Sequence, residues 1–149
     1  MPDLLTIGYQ GSTLAHVLTA LREAKVAHLV DVRAVPQSRK AGFSKRLLAA
    51  SVEAAGMRYT HLRGLGTPKA GRDAVRHGEV ARMHSIYAAH MQSDAAQIDL
   101  AHAIAIAKDE RACLLCFERD HTTCHRAIVA GLIQDRTGQP VRHLVAEGV

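Results

Sequence analysis

Apolar residues in this chain come in short blocks divided by polar, glycine-marked stretches, and the blocks alternate between two spacings. Residues 4–9, LLTIGY, are a nearly continuous apolar run closed by Gly8 and Gly11, the pattern of a buried strand followed by a tight turn. Leu14, Val17, Leu18 and Leu21 then recur at i, i+3, i+4 and i+7, one face of a helix, and Ser12 stands where a hydroxyl can cap its first turn. Residues 27–33, AHLVDVR, read as a second strand whose unbroken apolar core fits a parallel sheet covered on both faces. After the loop AVPQSRKAGF, Ser44 can cap a helix with Leu47, Leu48, Val52 and Ala55 inward, and Gly56 suits a left-handed end.

A third, more polar strand is expected at residues 57–62, MRYTHL, followed by the Gly- and Pro-rich loop RGLGTPKAGRD. Helical character runs from Ala74 to Lys108, too long for an average helix, so a break is expected near QSDAA, residues 92–96. Residues 112–118, ACLLCFE, form the fourth strand, Thr123 can cap the helix in CHRAIVAGLIQDRTG, and VRHLV at 141–145 is a short last strand. The order βαβαβ, helical excursion, βαβ predicts an α/β fold: three layers, a mainly parallel sheet of about five strands, helices on both faces, Rossmann-like. With 149 residues, the length suits a single domain over 1–149.

In such a sheet ligands bind beyond the carboxyl ends of the strands, where the loops converge. The unusual polar residues collect there: Tyr9, Gln10 and Ser12 after strand one; Asp31, Arg33, Ser38 and Arg39 after strand two; His61, Arg63, Gly64 and Gly66 after strand three; Glu118, Arg119, Cys124, His125 and Arg126 after strand four. The amino ends (Asp3, Ala27, Met57, Ala112) carry little. Asp31 and Arg33, two apart, share a face if both are in the strand, so Asp31 either forms a structural ion pair or orients Arg33 toward an anion. The last helix has no acid in its first turn, so its positive end is open to a phosphate or carboxylate. Glu118, ending an apolar strand beside histidines, is the best general acid or base, with a salt bridge as its other reading.

Charge adds a partner class. The net charge is +5, and the basic residues concentrate in RKAGFSKR (39–46) and in the stretch from Arg63 to Arg82, which suits an anionic partner: DNA, RNA or a nucleotide. Only Tyr9, Phe43, Tyr59, Tyr87 and Phe117 are aromatic, few for a single-strand stacking groove. Three cysteines, an odd number, argue against a disulfide framework and for reduced thiols. A metal is not expected: Cys116-x7-Cys124-His125 matches no zinc-finger spacing, and Cys124 and His125, adjacent in a helix, would point about 100° apart. No cofactor is expected either. The Cys-x5-Arg spacing of CLLCFER lacks the glycine that a phosphate loop needs. No stretch approaches the roughly 18 apolar residues of a membrane span, and residues 1–10 lack a signal-peptide pattern, so a cytoplasmic location is expected.

Four blocks, TIGYQGS, LVDVRAVPQSR, GMRYTHLRGLG and CLLCFERDHTTCHR, together resemble the domain-of-unknown-function family DUF488, in that family's order and from Thr6 to Arg126. Tyr9 stands where the family pattern more often has histidine. The resemblance implies a small α/β domain, no settled activity, and marked positions at Gly8, Asp31, Arg33, Pro36, Ser38, Gly66, Cys116, Glu118, Cys124, His125 and Arg126. The residues themselves leave three functions open. The first is hydrolytic or base-processing chemistry on a phosphate-bearing ligand, with Glu118, Asp31 and His125 catalytic and Tyr9, Arg33, Ser38, Arg39, Cys124 and Arg126 binding. The others are a non-catalytic nucleotide- or anion-binding module and a cysteine- or metal-dependent enzyme.

Overall fold

The computed structural model describes residues 2–148 and is an α/β fold. Five strands, β1 (Leu4–Gly8), β2 (His28–Asp31), β3 (Arg58–His61), β4 (Ala112–Cys116) and β5 (Val141–Val145), pair in the order β3-β2-β4-β1-β5. Every pair is parallel. The helices are α1 (Leu14–Glu23), α2 (Lys45–Ala54), α3 (Lys69–Arg76), α4 (Val80–His90), α5 (Asp94–Asp109) and α6 (His125–Thr137), with short 3₁₀ turns at Arg63–Leu65 and His121–Thr123.

Period-two alternation divides the strands between two cores. Leu5, Ile7, Leu29 and Leu115 pack with Val17 and Leu21 of α1 and Leu48 and Val52 of α2. Leu4, Val30, Leu114 and Cys116 pack on the other side with Met83, Tyr87, Leu100, Val129 and Ile133 from α4, α5 and α6. Each fully buried aliphatic side chain contributes about 1.5–3 kcal/mol relative to exposure. The connections leaving β1 and β2 belong to the first layer, and the one leaving β4 belongs to the second. Neighbouring strands whose loops depart toward opposite faces open a crevice at their carboxyl ends, and β4 lies between the other two.

Local chemistry moves several expected boundaries. Thr13, not Ser12, caps α1: its Oγ1 accepts from the His16 amide at 3.1 Å, while Ser12 is buried and bridges to Gly148. Leu47 does not face inward. It is 59% exposed, because α2 starts at Lys45 and turns Leu48 and Val52 to the core. Gly56 does take the left-handed conformation, at φ 85°. The long helical stretch begins earlier, at Lys69, and is cut twice. One cut falls where expected, before α5, whose N-cap Ser93 accepts from the Ala96 amide. The other follows α3, where Gly78 sits at φ 76°.

Strand ladders also stop short of Tyr9, Arg33 and Glu118, leaving all three in loops. Nor is the amino edge bare. Glu110 accepts from His28 Nδ1 at 2.6 Å and pairs with Arg58 at 3.4 Å, and His28 Nε2 bonds Thr60 Oγ1 at 2.7 Å. This cluster satisfies itself and faces no cavity found at the carboxyl edge. Among the described residues, no helix is long and apolar enough to cross a membrane.

Candidate functional site

Asp31, fully buried at the end of β2, anchors the carboxyl edge. Its Oδ1 accepts from the amide and Nε of Arg33 at 3.1 and 2.9 Å, and its Oδ2 from Arg33 Nη2 at 2.7 Å and the Tyr59 hydroxyl at 2.5 Å. Arg33 Nη1 donates further to Tyr9 Oη at 3.1 Å and the Phe43 carbonyl at 2.7 Å. Burial opposes the Arg33 charge, but the Asp31 carboxylate outweighs it and holds the guanidinium above its ordinary value. Burial and then Asp31 likewise raise the Tyr59 hydroxyl. Although Arg33 lies beyond the strand, the expected pair forms because the loop turns the guanidinium back on the carboxylate. Asp31 thus has its lone pairs occupied and acts as an orienting group.

Two imidazoles fix the same loop from the opposite side. His125 Nε2 donates to the Val32 carbonyl and His61 Nε2 to the Arg33 carbonyl, each at 2.7 Å. Burial pushes the His125 ring down to about 4, so it is neutral at ordinary pH.

Arg126 does comparable work for the β4–α6 loop. It is 1% exposed and donates to Thr6 Oγ1 (3.1 Å), Cys116 Sγ (3.2 Å), the Glu118 carbonyl (2.5 Å) and the Arg119 carbonyl (3.2 Å). Gly8 makes this possible: a Cβ there would run into the Glu118 carbonyl and Arg126. Gly66 similarly lies on the Ala34 backbone, too close for a side chain.

Above these groups lies a cavity of about 510 Å³. The β2 loop gives it Arg33, Ser38 and Arg39, the β4 loop gives Cys116, Phe117 and Glu118, and α3 gives Arg72 and Arg76. Thr123 and His125 close the side toward α6, whose first turn holds no acid. Tyr9 lies in its wall, 2% exposed, stacked on Phe43 at 4.2 Å with Phe117 edge-on at 5.4 Å. Burial raises the Glu118 carboxyl above its ordinary value, with Arg126 pulling the other way. Adjoining depressions extend the crevice past Lys45 and Arg46 on one side and past Gln10 and Val80 on the other.

Thr123 is not the cap of α6. That position is held by Cys124, in extended backbone at φ −117° and ψ 143°, whose Sγ accepts from the Arg126 amide at 3.5 Å. Because Cys124 stands outside the helix, its side chain and that of His125 converge, Sγ to Nδ1 being 3.7 Å, instead of diverging by a helical step. The strand end and the helix cap also bring Cys116 and Cys124 together in a disulfide, so the expectation of reduced thiols is corrected for this pair. Cys113 remains free and buried.

Of the residues expected to bind, Tyr9, Arg33, Ser38 and Arg39 line the cavity, whereas Cys124 and Arg126 lie beneath it. Of those expected to be catalytic, Glu118 and His125 line it and Asp31 does not. Arg72, Arg76, Thr67 and Phe117 are additions. Arg72 and Arg76 have a legible signal, the i, i+4 spacing that puts both on one helix face, but the direction of α3 over the sheet edge is not written in that spacing.

Fold and site together define a doubly wound α/β domain with a basic crevice at its topological switch. The chain belongs to the family described as Domain of unknown function DUF488, whose model matches residues 13–133. Three of the four motif blocks fall in that range, and TIGYQGS lies just before it. Comparison with curated proteins and with solved structures gives no match.

Proposed function

We propose that the crevice binds a phosphate-bearing ligand, nucleic acid or a nucleotide, and performs hydrolytic or base-processing chemistry on it through Glu118. The observation that carries this reading is a half-buried carboxyl with a raised proton affinity in the same cavity as Arg39, Arg72 and Arg76. Such a carboxyl can give a proton to a leaving group or, once ionised, take one from water. Arg39 and α3 would hold phosphate oxygens, helped by the open start of α6. The adjoining Lys45 and Arg46 lengthen the basic track, which suits a chain of phosphates more than a lone anion. Phe117, 42% exposed beside Tyr9, offers a face for one base.

Asp31 and Arg126 are reserved for holding the loops, and His125 for bracing Val32. Glu118 is therefore the group on which turnover depends. A screen of DNA, RNA and nucleotides for binding and for product formation supplies the substrate, and Glu118→Gln is then compared with the parent. The expected result is a loss of about 10²–10⁴-fold in kcat, the range for a lost general acid or base, with binding unchanged. Turnover that survives the substitution would remove Glu118 from the chemistry. Binding without turnover in the parent would favour a non-catalytic module, and no binding to any member of the screen would overturn the reading.

A further inference from the structure

Beneath the cavity, Cys116, Cys124 and His125 bring two sulfurs and a ring nitrogen within 4.8 Å of one another. We infer that the reduced cysteine pair and His125 Nδ1 form a binding site for a thiolate-seeking divalent cation of the zinc class. The imidazole is prepared for this. Its Nε2 must carry the proton, because its partner at 2.7 Å is the Val32 carbonyl, which can only accept. In the neutral ring Nδ1 then presents a lone pair, and it faces Cys124 Sγ at 3.7 Å. A disulfide sulfur has no proton to offer that lone pair, and the ring is 7% exposed. A backbone carbonyl that fixes the tautomer from behind is the usual support of a metal-bound histidine.

Spacing and charge agree. Around one tetrahedral zinc with bonds of about 2.0–2.3 Å, ligand atoms lie roughly 3.5–3.8 Å apart. The Cys124 Sγ to Nδ1 separation falls in that interval, and Cys116 Sγ lies within 4.8 Å of the same nitrogen. Two thiolates and a divalent cation cancel, and the remaining neighbours, Arg126 at 3.2 Å from Cys116 Sγ and Glu118 at 3.6 Å from it, are of opposite sign. Cys116, Glu118 and His125 line the cavity, so a cation here is reachable from it. Three protein ligands leave a fourth position for water or another donor, the arrangement of reactive and not of closed structural zinc.

The disulfide is the metal-free alternative of the same pair. A dithiol reductant transfers two electrons and two protons to the bridge and leaves as its own disulfide; the cation then displaces the two thiol protons into solvent. Metal binding does not depend on what the crevice holds, so it stands or falls separately from the chemistry of Glu118.

Cobalt(II) alone, titrated into the reduced, metal-free full chain under anaerobic conditions, is the probe. The expected result is one equivalent bound with sulfur-to-cobalt charge-transfer absorption, lost in Cys116→Ser and in Cys124→Ser and absent from the oxidised chain. A folded, reduced chain without that band, or a band that persists in Cys124→Ser, overturns the site. Should either serine variant fail to fold, X-ray absorption on the zinc-loaded parent decides: two sulfurs at about 2.3 Å and nitrogen at about 2.0 Å are expected, and a shell without sulfur is the contrary result.

Discussion

Arg33 and Arg126 look alike in the sequence, two arginines beside short strands, yet each is absorbed by the protein's own acceptors. Arg33 is fixed by a carboxylate and Arg126 by carbonyls, a hydroxyl and a sulfur. A buried ion pair adds little net stability over an apolar pair of similar shape, but removing one member leaves an uncompensated charge. Asp31→Asn, nearly the same volume, is therefore expected to cost about 3–5 kcal/mol of unfolding free energy. Adding Arg33→Met should recover part of that loss, and a double-mutant cycle by chemical denaturation reads the coupling. Additive losses would show that the two residues do not act as a unit. The Asp31–Arg33 pair was legible at two-residue spacing. The confinement of Arg126 was not, since its acceptors are mostly backbone atoms of a loop.

At the scale of elements, apolar spacing located all five strands, because a buried strand needs a continuous or alternating apolar run. It erred at helix ends. Caps depend on which backbone amide a side chain meets, and neighbouring candidates such as Ser12 and Thr13, or Thr123 and Cys124, are equivalent until the chain is placed. The cut between α3 and α4 turns on one glycine. Gly78 is left-handed with no atom near enough to obstruct a side chain, so Gly78→Ala should carry only the backbone penalty of about 1–2 kcal/mol. Chemical denaturation measures it, and no loss of stability would mean that the turn rearranges freely.

The crevice belongs to the whole molecule, since its cations come from two basic segments separated by a strand. Arg39, Lys45 and Arg46 lie on the β2–α2 side, and Arg72 and Arg76 on α3. If one nucleic-acid strand runs across both, affinity falls with salt at about 0.7 per phosphate contacted on a log–log plot, or about 0.9 if that strand is part of a DNA duplex. Arg72→Ala with Arg76→Ala should then weaken binding without regard to sequence and reduce that slope by about 1 for each cation lost. Filter binding over a salt series tests this, and an unchanged slope would place the backbone elsewhere. Arg76 also meets Asp73 in α3, so an unaltered melting temperature of the double variant is the control.

Hydrophobic spacing by itself determined the α/β class, the parallel strands and the edge on which polar residues gather, Glu118 among them. Periodicity carries that much because burial acts locally, strand by strand and turn by turn. Only the tertiary structure decided which polar residues face the cavity and which lie under it. Strand order inserts β4 between β2 and β1, sends its loop toward the opposite layer, and so sets Glu118 against the β2 loop and α3. The same placement stands Cys124 outside α6 and turns it toward His125 and Cys116, a convergence that spacing along a helix had argued against.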